Sequence, residues 1–529
     1  MVEIGGTNIT WENIDPRVRK ITMFGLTFAM LIACLDGTIV GTCGPVIAAE
    51  LNGTDLYAWM ITAYMLCETV MIPISGKMSD HYGRKPLFFL GLGLFVGGSI
   101  LAGMSTNMTQ LILFRAIQGL GGGTLIPVAM AAVGDFYSPV QRGKIQGMLG
   151  AVFGLGSAIG PLIGGYITEY FDWRWVFYIN IPLAILALAL TLKKFPAPNV
   201  DKTHKVDYLG MAVLGAFLID LLLFFEWGGD EVPWVSTKSF LMILVMVVLL
   251  FAFVRIEKKA DDPVIGLHLF KNRTIVGAMV FMALFGLGMM GAMTYSSMFA
   301  IYIYGLTTLE AGELTLAMVA GMMITSLASG AYLTRTGIRP WIIAGPIITA
   351  IAMYMMSGLK YGGTEWDLVP CLFILGLGLG CMMSVVMVAV QNVADPKEMG
   401  MTTSSVNLMR SIGSTIGTAV FAMLVAQKMS GELAANVPLI YDQIPHDVGV
   451  LDTSWIGWIL SDPTYGYSNL AGVLTSFANS VDFAFLIGAC IMVVLLFVGF
   501  LIKSQRKSVD VTDRFLKRIE EDLNEDMKK

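Results

Sequence analysis

The chain is 529 residues long, 56% hydrophobic and only 14% charged, with a mean hydropathy of +0.71 and a net charge of −5. That composition excludes an ordinary soluble domain. No Gly-Lys-Ser/Thr loop is present to cradle a nucleotide phosphate, which excludes a P-loop ATPase.

The first twenty residues are polar and carry Trp11, Asp15 and Arg17, so no cleavable signal peptide is expected. Beyond them, apolar runs of about 20 residues recur, each long enough to cross a ~30 Å hydrocarbon core. Fourteen helices are predicted at about 21–48, 57–76, 86–104, 109–133, 144–169, 175–193, 208–226, 239–256, 274–298, 312–333, 340–358, 367–391, 402–427 and 481–502. Lipid offers the backbone no hydrogen-bonding partner, so runs of this length favour helices, and the expected class is an all-α polytopic membrane protein. With the N-terminus inside, inner loops and tails hold 28 of the 34 Lys and Arg residues, which places both termini in the cytoplasm.

This order divides the chain into an N-terminal segment (1–20), a six-helix bundle (21–193), a linker with two inserted helices (194–273), a second six-helix bundle (274–502) and a tail (503–529). The second bundle includes an outer loop (429–480) holding Asp442, Asp447, Asp452 and Asp462, read as a compact surface loop. The mixed-charge tail reads as a short amphipathic helix at the inner surface.

The two bundles are related by duplication. The run from Gly76 to Pro86, which includes Asp80, Gly83 and Arg84, returns degenerately from Gly330 to Pro340. Gly119, Pro139, Gly143, Gly156 and Gly160 are echoed by Gly376, Pro396, Gly400, Gly413 and Gly417. Two repeats around a central cavity imply a membrane transporter.

Several polar residues stand out against this apolar background. Asp36 lies mid-span, where a carboxylate is costly; it reads as a proton or cation site, or as a structural anchor to a neighbouring helix. Glu68, one turn after Tyr64, suits a carboxylate that loads and releases a proton in each cycle, although a solvated or backbone-bonded Glu would look the same. Arg115 keeps its charge and would hold a nearby carboxylate ionised, or act as a fixed bridge. Leu372 occupies its place in the second repeat. Asp80 is placed to cap a helix N-terminus across the bundle interface and to pair with Arg142 in the next inner loop. Thr334 replaces it in the second repeat. Asp36, Tyr64, Glu68, Gln118 and Asn407 are assigned to the substrate cavity. Arg410 is read as snorkelling or pairing near the inner end of its helix, and Asp220, in the same inserted helix as Glu226, as paired within the inserted hairpin.

The six cysteines (34, 43, 67, 371, 381 and 490) all fall in apolar runs, and the four histidines (81, 204, 268 and 446) are scattered over loops. Neither set has metal-ligand spacing, so no metal or cofactor is expected.

Six motifs in order resemble the major facilitator superfamily, and more narrowly its fourteen-helix drug:proton antiporters. They are Leu35-Asp36-Gly37-Thr38-Ile39-Val40, the Gly76–Pro86 loop, and Leu111 to Gly123 with Arg115, Gln118 and Gly119. The others are Gly156-x-x-x-Gly160-Pro161-x-x-Gly164-Gly165, then Trp173-Arg174-Trp175-x-Phe177-x-x-Asn180-x-Pro182, and Asp262 to Arg273. The first motif departs from the family at Gly41-Thr42-Cys43-Gly44-Pro45, where smaller residues would loosen the cavity wall.

The resemblance implies a non-enzymatic, proton-driven exporter of amphipathic cationic or neutral molecules. Arg115 would serve proton coupling, and Gly76, Asp80, Gly83, Arg84 and Arg142 a cytoplasmic gate. Gly156, Gly160, Pro161, Gly164 and Gly165 would pack the exporter helix. Expected partners are the substrate, protons and the lipid bilayer of the cell membrane, with no nucleic acid, and the expected state is a monomer. A lipid, bile-acid-like or metabolite carrier of the same fold is the alternative, followed by a non-transporting membrane receptor.

Overall fold

The structure, a computed structural model, describes residues 14–192, 195–196, 206–228, 232–438 and 463–502. All fourteen expected helices occur in it. They are α1 (Pro16–Glu50), α2 (Tyr57–Tyr82), α3 (Arg84–Gly103), α4 (Met108–Phe136), α5 (Pro139–Tyr170), α6 (Trp175–Thr191) and α7 (Tyr208–Trp227). The second half holds α8 (Thr237–Glu257), α9 (Arg273–Tyr304), α10 (Thr308–Thr336), α11 (Arg339–Met356), α12 (Leu368–Gln391), α13 (Met399–Asn436) and α14 (Pro463–Gly499). Thirteen are long and apolar enough to cross a membrane; α6 is shorter, and its first turn (Trp175–Tyr178) is set off from Asn180–Thr191.

Local chemistry starts these helices where the chain leaves the apolar layer. Side chains of Asp15, Asn107, Asp207, Ser236 and Asn272 accept from the first free N–H groups of α1, α4, α7, α8 and α9, and Thr307 with Glu310 forms a capping box on α10. Gly83 ends α2 with a φ of 92°, and its repeat counterpart Gly337 ends α10 with a φ of 78°. A side chain is strained in that region, which fixes glycine at both turns.

The outer loop expected at 429–480 is shorter at both ends. Helix α13 runs on through Asn436 and α14 starts at Pro463. Hydropathy falls there, but polar ties sustain the helix: Lys428 pairs with Glu432 at 2.9 Å, and Asn479 of α14 donates to Glu432 at 2.8 Å. The four aspartates of that loop, the tail 503–529 and most of the N-terminal segment lie outside the described residues.

The duplication is visible in the packing. Helix α4 lies on α2 and α12 on α10; α1 lies on α5 and α9 on α13. Gly119 sits against the backbone of Tyr64, and Gly376 against that of Met318, so each repeat uses a bare glycine to bring two helices together. The bundles meet along α5–α10 and α2–α13. Along the first seam, a Cβ on Gly312 would rest 3.4 Å from the Pro161 ring. The inserted pair α7–α8 lies outside both repeats: α7 packs on α2 and α13, while α8 exposes Phe240, Val247 and Phe251, as a lipid-facing helix should.

Candidate functional site

Five helices of the first bundle converge on Asp36. Its Oδ2 is paired with the Arg115 guanidinium. Its Oδ1 accepts from Gln118 Nε2 at 2.7 Å and from Asn180 Nδ2 at 2.9 Å. Ser99 accepts from both amides, at 3.2 and 3.0 Å, and donates to the Phe177 carbonyl at 2.8 Å. The Tyr64 ring covers the guanidinium at 4.2 Å. Asp36, Tyr64, Arg115 and Gln118 are each at most 2% exposed. A buried ion pair survives where its remaining lone pairs are bonded, and these amides provide that. The cavity positions expected for Asp36, Tyr64 and Gln118 are therefore corrected: all three turn into the interior of the first bundle. In the second repeat Leu372 and Leu375 hold the places of Arg115 and Gln118, so the network has no twin.

Glu68 stands apart from that network. It is half-buried, and no hydrogen bond or ion pair engages it among the described residues. The charge acting on it most strongly is Arg410, on the opposite bundle, followed by Arg115 and Asp36. Arg410 is not at a helix end. It is 9% exposed, eleven residues into α13, with its guanidinium over the Phe153 ring of α5 at 5.1 Å. The snorkelling reading fails because the side chain points across the bundle interface rather than along its own helix. One residue further along both helices, Thr69 and Ser411 share a hydrogen bond of 2.8 Å. Asn407, a turn before Arg410, is buried and donates to Met130 Sδ of α4 at 2.9 Å.

A third set of contacts closes the basic end of the molecule, where the α2–α3 and α4–α5 turns lie. Asp80 Oδ1 and Oδ2 accept from the backbone N–H groups of Gly400 and Met401, at 2.8 and 2.7 Å, at the start of α13. These N–H groups have no intrahelical partner, and the helix dipole favours an anion there. Arg84 Nη2 pairs with Asp80 at 2.6 Å, while Arg84 Nε donates to Asp135 at 2.8 Å. The expected Asp80–Arg142 pair does not form. Arg142 donates instead to the carbonyls of Gln391 and Gly134, both at 2.8 Å, and thereby caps the C-terminus of α12. Gly76 lies flat against Ser404 and Gly400, where a side chain would find no room.

The exporter-type glycines of α5 face both neighbours. Gly156 and Gly160 admit Cys34 and Thr38 of α1, Gly164 accepts from Cys43 through its carbonyl at 3.3 Å, and a Cβ on Gly165 would rest 3.4 Å from Leu309 of α10. Glu226 accepts from Thr62 of α2 at 2.8 Å, which ties the inserted helix to the first bundle. The pairing expected for Asp220 within the hairpin is absent among the described residues, and its Oδ2 is buried without a partner. Lys77 pairs with Asp262, so the linker after α8 also docks on α2.

Sequence reasoning missed Ser99, Asp135 and Asn180 as site residues. Asn180 lay inside a recognised motif and Asp135 aligns with Asn392 in the second repeat, but Ser99 carries no signal of its own.

Comparison with known proteins agrees with this architecture. A family model described as Major Facilitator Superfamily matches residues 26–418. The multidrug transporter protein MdtP of Bacillus subtilis (strain 168) is 34% identical over 445 residues, covering 84% of this chain and 82% of that protein. Multidrug resistance protein 3 of the same organism is 34% identical over 414 residues, covering 78% and 81%. The solved structure of the proton:xylose symporter XylE superposes with a TM-score of 0.60 at 12% identity, over 93% of this chain and 97% of that one. The chain is a multi-pass membrane protein that belongs to the Major Facilitator Superfamily of transporters.

Proposed function

We propose that the protein is a proton-coupled exporter of amphipathic small molecules that works by alternating access in the cell membrane, with both termini cytoplasmic. The observation that carries this reading is the polar latch at the basic end. There the first bundle holds the second through hydrogen bonds from Asp80 and Arg142 to helix ends, which can be broken and remade without tearing a hydrophobic core. Two relatives at 34% identity that carry multidrug names support an export role.

Within this reading Glu68 carries the transported proton. It is the acidic group at the seam between the bundles that no partner engages, and Arg410 faces it from the other side. The Asp36–Arg115 network holds the geometry of the first bundle around it. One proton moving through 100 mV supplies about 2.3 kcal/mol, enough for a concentration ratio of about fifty.

The test is dye movement in proteoliposomes under an imposed pH step. Ethidium should move uphill in the direction set by the step, and Glu68→Gln should abolish that dependence. Ethidium flux of equal size with and without the step would refute proton coupling.

A further inference from the structure

Once Asp36 and Arg115 have neutralised each other inside the first bundle, the seam keeps one carboxylate and one guanidinium. Glu68 comes from α2 and Arg410 from α13, so each bundle contributes one charge. They act on each other electrostatically without closing to an ion pair. Arg410 is 9% exposed, forms no ion pair among the described residues, and has an Nε with no acceptor. A buried guanidinium without a bonded counter-ion is costly, and this one is aimed at Cys34, Glu68 and Phe153 of the opposite bundle. The other titratable groups facing Glu68 are Tyr64, Arg115, Asp36 and Cys34; Arg115 and Asp36 are committed to each other, and Tyr64 covers the Arg115 guanidinium. The cation-biased cavity expected from sequence therefore gives way to a balanced one with spatially separated signs.

We propose that Glu68 and Arg410 form a two-charge subsite for a zwitterionic amphiphile, Arg410 holding the anionic group, Glu68 the cationic group, and the Phe153 ring lying beside the apolar body. This rests on the reading of the protein as a carrier and names the class of cargo. Arg410 supplies a planar fork suited to a carboxylate. Phe153 already stacks on that fork and fixes its plane.

The test uses two dyes on one scaffold and reads binding, which does not require transport. Tetramethylrhodamine carries a carboxylate and a delocalised cation; its methyl ester carries the cation alone. Fluorescence polarisation with the full chain in nanodiscs should show the free acid binding about tenfold tighter than the ester, the scale of one charge-assisted hydrogen bond. Arg410→Gln should erase that preference by weakening the acid alone, Arg410→Lys should restore part of it, and Glu68→Gln should weaken both dyes. Wild-type protein that binds the ester as well as the acid overturns the proposal, whether or not the variants fold, and so does an Arg410→Gln variant that keeps the wild-type ratio. If discrimination is present but neither dye moves with a pH step in proteoliposomes, the subsite stands and the coupled-export reading falls.

Discussion

Asp80 and Arg142 never touch, yet they perform matched tasks: each leaves the first bundle to cap a helix of the second, the acid at the N-terminus of α13 and the base at the C-terminus of α12. Each charge has the sign that its helix end attracts. Their counterparts in the second repeat are Thr334 and Met399, so the latch is thrown from one side only.

Asp80→Asn should loosen this latch. The amide cannot accept as strongly at both oxygens, and Arg84 loses one of its two carboxylate partners. Hydrogen exchange at the Gly400 and Met401 amides should accelerate at least about tenfold, the equivalent of about 1.4 kcal/mol, with neighbouring α13 amides less affected. Unchanged protection there would mean that Asp80 does not hold the helix.

Asp36→Asn should act mainly on stability, because it strands Arg115 in a dry interior. Breaking a buried pair from one side costs about 3–5 kcal/mol. Thermal unfolding in detergent should show a clear fall in Tm. Asp36→Asn combined with Arg115→Gln should recover part of it.

Glu68→Gln should show the opposite profile. No bond holds Glu68, so the variant should unfold within about 0.5 kcal/mol of wild type. Dye flux should meanwhile cease to follow the imposed pH. A large loss of stability would mean that Glu68 has a structural task.

Disulfide trapping should separate the moving parts. Thr62 and Glu226 join α2 to the inserted helix α7, whereas Thr69 and Ser411 join the two bundles. A Thr62→Cys/Glu226→Cys crosslink should leave transport intact, because α7 travels with α2. A Thr69→Cys/Ser411→Cys crosslink should stop it, and reduction should restore it.

Much of the latch was legible in the sequence because Gly76, Asp80, Gly83 and Arg84 lie within nine consecutive residues. Asp80 was also readable as a helix cap, since the physics of an anion at an N-terminus needs no partner side chain. Its second contact was not: Asp135 is 55 residues away, and nothing in the order of residues distinguishes it from Arg142 as the neighbour of the turn. The juxtaposition of Glu68 with Arg410 was hidden for the same reason, being set by how two bundles dock. The burial of Asp36 was missed because apolar periodicity cannot tell a helix face that lines a cavity from one that lines a bundle. Asn180 and Ser99 make that distinction, and both belong to other helices.

Helices α2 and α13 run antiparallel in one register, touching at Asp80 with Gly400, at Gly76 with Ser404 and at Thr69 with Ser411. Two stiff rods joined in this way part like the blades of scissors. Thr69 is eleven residues from Asp80, about 16 Å along the rod, so a tilt of about 20° pivoting there would swing the latch open by about 6 Å. The pivot itself would scarcely move. Glu68 and Arg410 sit one residue from it, so the two charges would stay within reach of each other while the gate travels, and a proton arriving at the fulcrum would act with the full length of the lever.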